Sequence, residues 1–197
     1  VSGIDAGSEI IMIDDLSSGI DQIAAHLSGR TNIDSIHIIS HGEAGTLYLG
    51  GDTLNNANLE QYNQVLAGIG NSLAENGDIL IYGCDVASGP DGESFITRFA
   101  AKTDADVSAS ADDTGWDEAG GDWNLEYSSG AIETPSLQID TYHGILATTN
   151  TGAWTIPVGG SSASFTGGGA TVTVGWSAES ANSSWSVAAS IGRHSRI

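Results

Sequence analysis

Two short stretches of this chain carry side chains suited to covalent chemistry, and each follows an apolar run. Cys84 is the only cysteine among 197 residues, so it has no partner for an intrachain disulfide and cannot build a cysteine-only zinc site. It sits in Gly83-Cys84-Asp85, directly after Asp78–Tyr82 (DILIY). His41 sits in Ser40-His41-Gly42, directly after Ile36–Ile39 (IHII). A free thiol titrates near about 8.5 and needs help to ionise at neutral pH. An imidazole within reach takes that proton and later returns it to a leaving amine. Gly42 and Gly83 let the backbone come close to a substrate carbonyl. The N–H groups of Gly42 and Cys84 are then candidate donors to an oxyanion.

That chemistry needs two neighbouring strands that end at the same edge. The β-branched run Ile36–Ile39 and the run Asp78–Tyr82 both read as buried strands. A crossover helix between them makes them parallel, and sites in open α/β sheets form outside the carboxyl ends of the strands. Leu59 to Leu73 supplies that helix through Leu59, Tyr62, Leu66, Ile69 and Leu73, with Asn76-Gly77 as its C-cap. Ile10–Ile13 reads as an earlier strand. Ser17 to Leu27 reads as a helix whose apolar stripe includes Leu16, with Ser18 and Asp21 as a capping box. Thr46–Leu49, Gly50-Gly51 and Asp52–Leu54 predict a hairpin. Gly92 to Lys102 predicts a helix burying Phe95, Ile96 and Phe99, and Ala105–Ser110 and Trp123–Tyr127 two more strands. Strands of this apolar kind are usually covered by helices on both faces. The fold class is therefore α/β, a three-layer sandwich with a mainly parallel central sheet.

Composition narrows the partners. The 25 acidic residues outnumber the 5 Lys and Arg, giving a net charge of -20. Such a surface repels phosphate backbones and anionic membranes and attracts divalent cations and basic peptide segments. Nucleic acid is therefore not an expected partner. With 40% hydrophobic residues a sizeable core is available, but no stretch reaches the length of a membrane span. The opening Val1-Ser2-Gly3 has no signal-peptide character and reads as the middle of a longer protein. The α/β pattern fills residues 1–147. Residues 148–197 are a Gly/Ser/Thr-rich linker or the start of a β module, with period-two alternation at Ala170–Val174 and an irregular tail from Gly192.

The two blocks IHIISHG (residues 36–42) and DILIYGCDVASG (residues 78–89) resemble the caspase and gingipain clan (clan CD) of cysteine peptidases. Asp21 to Tyr127 also resembles an uncharacterised domain near the start of large bacterial adhesin-like surface proteins with cadherin-like or calcium-binding repeats. Matching blocks there include Asp21-Gln22-Ile23-Ala24, Ala105–Ser110 and Gly120–Glu126. The resemblance implies a caspase-like sandwich in which His41 is general base and acid, Cys84 the nucleophile, and Gly42 with Cys84 the oxyanion donors. It implies a further strand and helix before the first strand, which here are missing or reduced to Val1–Asp5. It also places the substrate pocket at Asp85, Asp112 and Asp113, where acidic groups favour Arg or Lys before the cut. The implied activity is endopeptidase processing of a large secreted or surface protein, the parent chain included.

Other residues read more plainly. His37 lies inside its strand and reads as a hydrogen-bonded core residue, while His26 and His143 read as surface or packing residues. Trp116 and Trp123 read as core packing. Catalysis by a Cys84/His41 dyad needs no cofactor. Calcium enters as a structural or activating ion, with Asp112, Asp113, Asp117 and Asp122 as acidic candidates that lack the DxDxDG spacing. Two other functions fit the same residues: an inactive peptidase fold used as an adhesin scaffold, and a hydrolase or transferase using the thiol on a non-peptide ester.

Overall fold

The structure is a computed structural model that describes residues 8–139 and 142–146, and the backbone of three later strands, 162–167, 170–175 and 186–192. The chain runs through β1 (Glu9–Ile13), α1 (Gly19–Leu27), β2 (Ile33–Ile39), β3 (His41–Glu43), β4 (Thr46–Leu49) and β5 (Asp52–Asn55). A 3-10 turn at Leu59–Tyr62 leads into α2 (Asn63–Gly70), followed by β6 (Leu73–Tyr82), α3 (Gly89–Thr103), β7 (Asp106–Ala109) and β8 (Tyr127–Ser129). The later strands are β9 (Ser162–Gly167), β10 (Ala170–Gly175) and β11 (Ser186–Gly192).

The central sheet has the order β1-β11-β2-β6-β7-β8. Strands β2, β6 and β7 pair in parallel, and β8 and β11 run against them. Because β11 is antiparallel to both β1 and β2, those two strands point the same way. The chain is thus α/β with a mainly parallel central sheet, as the alternation of elements predicts. Strands β3, β4 and β5 form a separate small sheet, and β9 and β10 pair as a hairpin. The expectations about Val1–Asp5 and about the residues after Gly192 lie outside the described residues.

The two faces of the sheet are closed differently. Ile36, Ile38, Ile79, Ile81, Val107 and Ala109 share one core with Ile20 and Ile23 of α1, Leu66 and Ile69 of α2, and Phe95 and Phe99 of α3. Leu80, Tyr82 and Cys84 share a second core with Trp123, Leu137, Ile139 and Leu146. All three described helices therefore serve one face. Among the described residues the other is covered by irregular chain around Trp123 and at 130–139 and 142–146, where the apolar strands predict helices. Each fully buried side chain of this size contributes roughly 1.5–3 kcal/mol, against about 1 kcal/mol for a good helix cap. Packing, more than capping, decides where the helices lie.

Several local expectations shift. Ser18 does cap α1, its hydroxyl accepting from the Asp21 N–H at 3.1 Å, but Leu16 lies outside the helix and is 92% exposed. The Leu59 helix stops at Gly70, short of Asn76-Gly77. Ser72 closes it by donating from its hydroxyl to the Ile69 carbonyl at 2.6 Å, so Leu73 to Gly77 are free to extend β6. Trp123 is buried as core packing, but the edge strand starts only at Tyr127. Among the described residues no helix is long and apolar enough to cross a membrane.

His37 is the buried histidine that the strand pattern predicts. Its ring stacks on Tyr82 with centroids 5.8 Å apart, and its nitrogens meet the Tyr82 hydroxyl at 3.1 Å and the Ser35 hydroxyl at 3.3 Å. Burial lowers its pKa from 6.5 to about 4. A histidine whose folded pKa is depressed stabilises the fold above its unfolded value, and that stability is lost as pH falls through the folded value. Urea denaturation followed from pH 7 to pH 4 should lose on the order of 3 kcal/mol more in the native chain than in His37→Gln. Parallel pH curves for the two proteins would refute this account.

Candidate active site

The parallel register brings the two reactive strand ends side by side. Ile38 is opposite Ile81 and Ile39 opposite Tyr82, and the Ser40 N–H donates to the Tyr82 carbonyl at 2.9 Å. Beyond that pair the two backbones stay close, and a Cβ built on Gly83 would lie 3.2 Å from the Ser40 carbonyl oxygen. Gly42 confirms the closeness of the two backbones. A Cβ built on it would lie 2.9 Å from the Cys84 carbonyl oxygen and 2.2 Å from a Val86 methyl, so only glycine fits. At this corner the chain leaves β2 and enters the small sheet, where His41 pairs with Tyr48. The Ser40 hydroxyl, almost fully buried, donates to the Tyr48 carbonyl and ties the corner down.

Cys84 ends β6 in a tight turn. Asp85 takes left-handed backbone with φ 60°, and its N–H donates to the Asp112 carbonyl at 2.8 Å. The Ala87 N–H donates to the Ser110 carbonyl at 2.8 Å, so the turn is stitched to the chain that follows β7. Pro90 then opens α3 at its first turn, where its missing N–H costs nothing.

The thiol is 1% exposed, and its sulfur accepts from the Thr114 N–H at 3.3 Å. The S–H faces the Thr114 carbonyl oxygen at 3.7 Å. Burial pushes the thiol pKa up to about 12. The Thr114 contact opposes this, and the negative charges of Asp113 and Asp85 add to it. Asp85 and Asp112 are themselves raised, first by burial and then by neighbouring carboxylates, Asp113 among them. Asp85 and Asp113 thus lie near enough to act on the thiol, and Asp112 is tied to Asp85 through its carbonyl. In this arrangement the thiol is neutral.

The imidazole faces a segment that the sequence reading overlooks. His41 Nδ1 lies 2.7 Å from the Leu146 carbonyl oxygen. A carbonyl only accepts, so Nδ1 carries the proton and Nε2 is the nitrogen with a free lone pair. The Leu146 N–H donates to the Thr114 carbonyl at 2.9 Å, and the Trp116 N–H donates to the Gly144 carbonyl at 2.9 Å. Ile145 thereby makes an antiparallel bridge with Gly115. Nothing in the type or spacing of Gly144-Ile145-Leu146 marks it for this place. The Thr114 hydroxyl is buried without a hydrogen-bond partner, an orphaned polar group at the centre of the site.

The remaining candidates separate. Asp112 and Asp122 bring carboxylate oxygens within 4.8 Å of each other and of Glu126, a group able to hold a cation. Asp117 is not in that group and starts a short 3-10 turn. Trp116 stacks on exposed His143 at 4.8 Å between centroids. His26 sits at the surface beside Glu9 at 2.9 Å. An open surface hollow of about 420 Å³ lies among Glu60, Asn63, Arg98, Ala101 and Lys102, on the helical side and away from Cys84.

Fold and site together define an α/β domain with a cysteine and a histidine at the carboxyl edge of two adjacent parallel strands. The chain belongs to the family described as a domain of unknown function (DUF4347), which matches residues 1–146. No curated protein and no solved structure matches it. The matched stretch ends on Leu146, the residue that meets His41.

A thiol held protonated in the fold stabilises it fully below pH 9, the group's ordinary value, and that stability drains away as pH rises toward about 12. Between pH 9 and pH 11 the native chain should lose stability more steeply than Cys84→Ala, by on the order of 2–3 kcal/mol in urea denaturation. Equal slopes would show that the thiol is not held neutral.

Proposed function

We propose that this domain is a cysteine endopeptidase of caspase-like type that processes a large secreted or surface-bound bacterial protein, its own parent chain included. The observation that supports this is the β2–β6 register, which ends both strands at one edge just before His41 and Cys84, with the Gly42 backbone packed against the Cys84 carbonyl. In this reading His41 takes the thiol proton, Cys84 attacks the peptide carbonyl, and the N–H groups of Gly42 and Cys84 receive the negative charge that forms on oxygen. A peptide is favoured over a small ester because the chain beside the site already accepts extended backbone. Thr114 and Trp116 make two ladder hydrogen bonds to Gly144 and Leu146. The acidic group Asp85, Asp112 and Asp113 suits a basic side chain near the cut. Such a side chain also offsets the charges of Asp113 and Asp85, which add to the larger effect of burial on the thiol.

The inactive-scaffold reading has one observation in its favour, the buried and neutral thiol. A thiol-directed alkylating probe separates the two. With the peptidase, Cys84 labels slowly at pH 7.5 in the resting chain, and in His41→Ala at least about tenfold more slowly again. Equal rates point to the scaffold. A longer parent protein incubated beside its Cys84→Ala counterpart then tests processing, and identical fragment patterns would end that part of the proposal.

A further inference from the structure

We infer that Gly144-Ile145-Leu146 occupies, in cis, the strip on which an extended peptide substrate would lie, and so keeps the site closed. The inference rests on the peptidase reading and names the regulation of that same site. The segment runs antiparallel to Thr114–Trp116 and makes the ladder contacts an incoming strand would make. Its last described carbonyl accepts from His41 Nδ1–H, so the segment lies directly against the candidate base and fixes its ring. The Thr114 carbonyl, which the Cys84 thiol faces, is shared with the Leu146 N–H. The fit is close on the other side too. A Cβ on Gly115 would lie 2.1 Å from the Gly144 carbonyl oxygen, and one on Gly121 2.6 Å from the end of Ile145. Leu146 joins the apolar core that contains Cys84, Tyr82 and Trp123, and is 6% exposed.

The substitution Leu146→Asp places a charge in that core and unseats the segment. In the full 197-residue chain it should raise the rate of Cys84 alkylation at pH 7.5 by about tenfold or more. The Trp116 amide, released from Gly144, should exchange hydrogen faster to a matching degree. Fast Trp116 exchange without faster alkylation overturns the inference. If Leu146→Asp fails to fold, the native chain in sub-denaturing urea gives the same comparison, because alkylation and Trp116 exchange must rise together. Adding His41→Ala to the released protein separates the two ideas. An undiminished fast rate there sinks the dyad while leaving the covering segment in place.

A separate observation points to a divalent cation at the opposite end of the sheet. Asp78, Asp106 and Glu133 each bring a carboxylate oxygen within 4.8 Å of the others. Asp78 is fully buried. Its Oδ2 accepts from the Glu133 and Thr134 N–H groups at 3.1 and 2.8 Å, while its Oδ1 has no partner. An unpaired buried carboxylate oxygen beside two further carboxylates is an all-oxygen, anionic donor set, which suits calcium or magnesium. Gly130, at φ 114°, leaves room for Asp106, because a Cβ there would lie 1.8 Å from the Asp106 Oδ1. Adding calcium to the full chain at constant ionic strength should raise its melting temperature by several degrees. Glu133→Gln and Asp106→Asn should each abolish most of that rise. No rise in the native chain overturns the site, leaving water as the partner of Asp78. An equal rise in both variants also overturns it and moves the ion elsewhere, with Asp112, Asp122 and Glu126 the next group to substitute.

Discussion

The arrangement at the carboxyl edge depends on the pairing between β2 and β6. Ile36 lies opposite Ile79, His37 opposite Leu80, and Ile39 opposite Tyr82. Strand side chains alternate faces, so a slip of one residue would put Ile36 and Ile38 with the covering chain and His37 with the helices. The register is enforced from both faces at once. Isoleucines on one face fill the helix-covered core, and the His37–Tyr82 stack with its hydrogen bonds occupies the other. The candidate residues His41 and Cys84 each lie two positions beyond the ends of these strands.

That placement has an electrostatic consequence. A cysteine in an apolar core resists ionisation, and Asp85 and Asp113 resist it further. The resting site is therefore a neutral thiol and an imidazole whose Nδ1–H is held by the Leu146 carbonyl. The Gly144–Leu146 segment covers this site from one side, through its bonds to Thr114, Trp116 and His41. The same feature that argues for an inert scaffold is the one expected of a peptidase kept latent inside its parent chain.

The covering chain links the two ends of the sheet. It passes Glu133 and Thr134, whose N–H groups hold Asp78, then Leu137, whose N–H donates to the Tyr82 hydroxyl at 2.8 Å. After Ile139 in the second core, its last described residue is Leu146 against His41. Lacking helical hydrogen bonds, this layer is held by side-chain and backbone bonds to the strands beneath it. Segments held by such scattered contacts open at lower free energy than the strands they cover.

Much of the fold was legible because it rests on periodic patterns. Apolar runs of four or five residues marked β2 and β6, a stripe marked α1 and α3, and Gly50-Gly51 marked the β4–β5 hairpin. Strand ends are local facts, so His41 and Cys84 could be singled out, and Gly42 with them. Where patterns were weak the boundaries moved. The α2 helix ends at Gly70 because Ser72 captures the Ile69 carbonyl, and no apolar spacing announces that. The residues that meet the reactive pair at the edge, Thr114 and Gly144 to Leu146, follow β7 and lie at the far end of the domain, and their role depends on backbone groups common to all residue types. The pairing of Asp78 with Asp106 and Glu133 is equally invisible, since sheet register alone makes them neighbours. The sequence by itself determined which strands form and which side chains stand at their ends, because both follow from local hydrophobic periodicity. Only the tertiary structure decided what touches them, because a backbone carbonyl on His41 and an orphaned oxygen on Asp78 are set by long-range contacts that leave no trace in residue type.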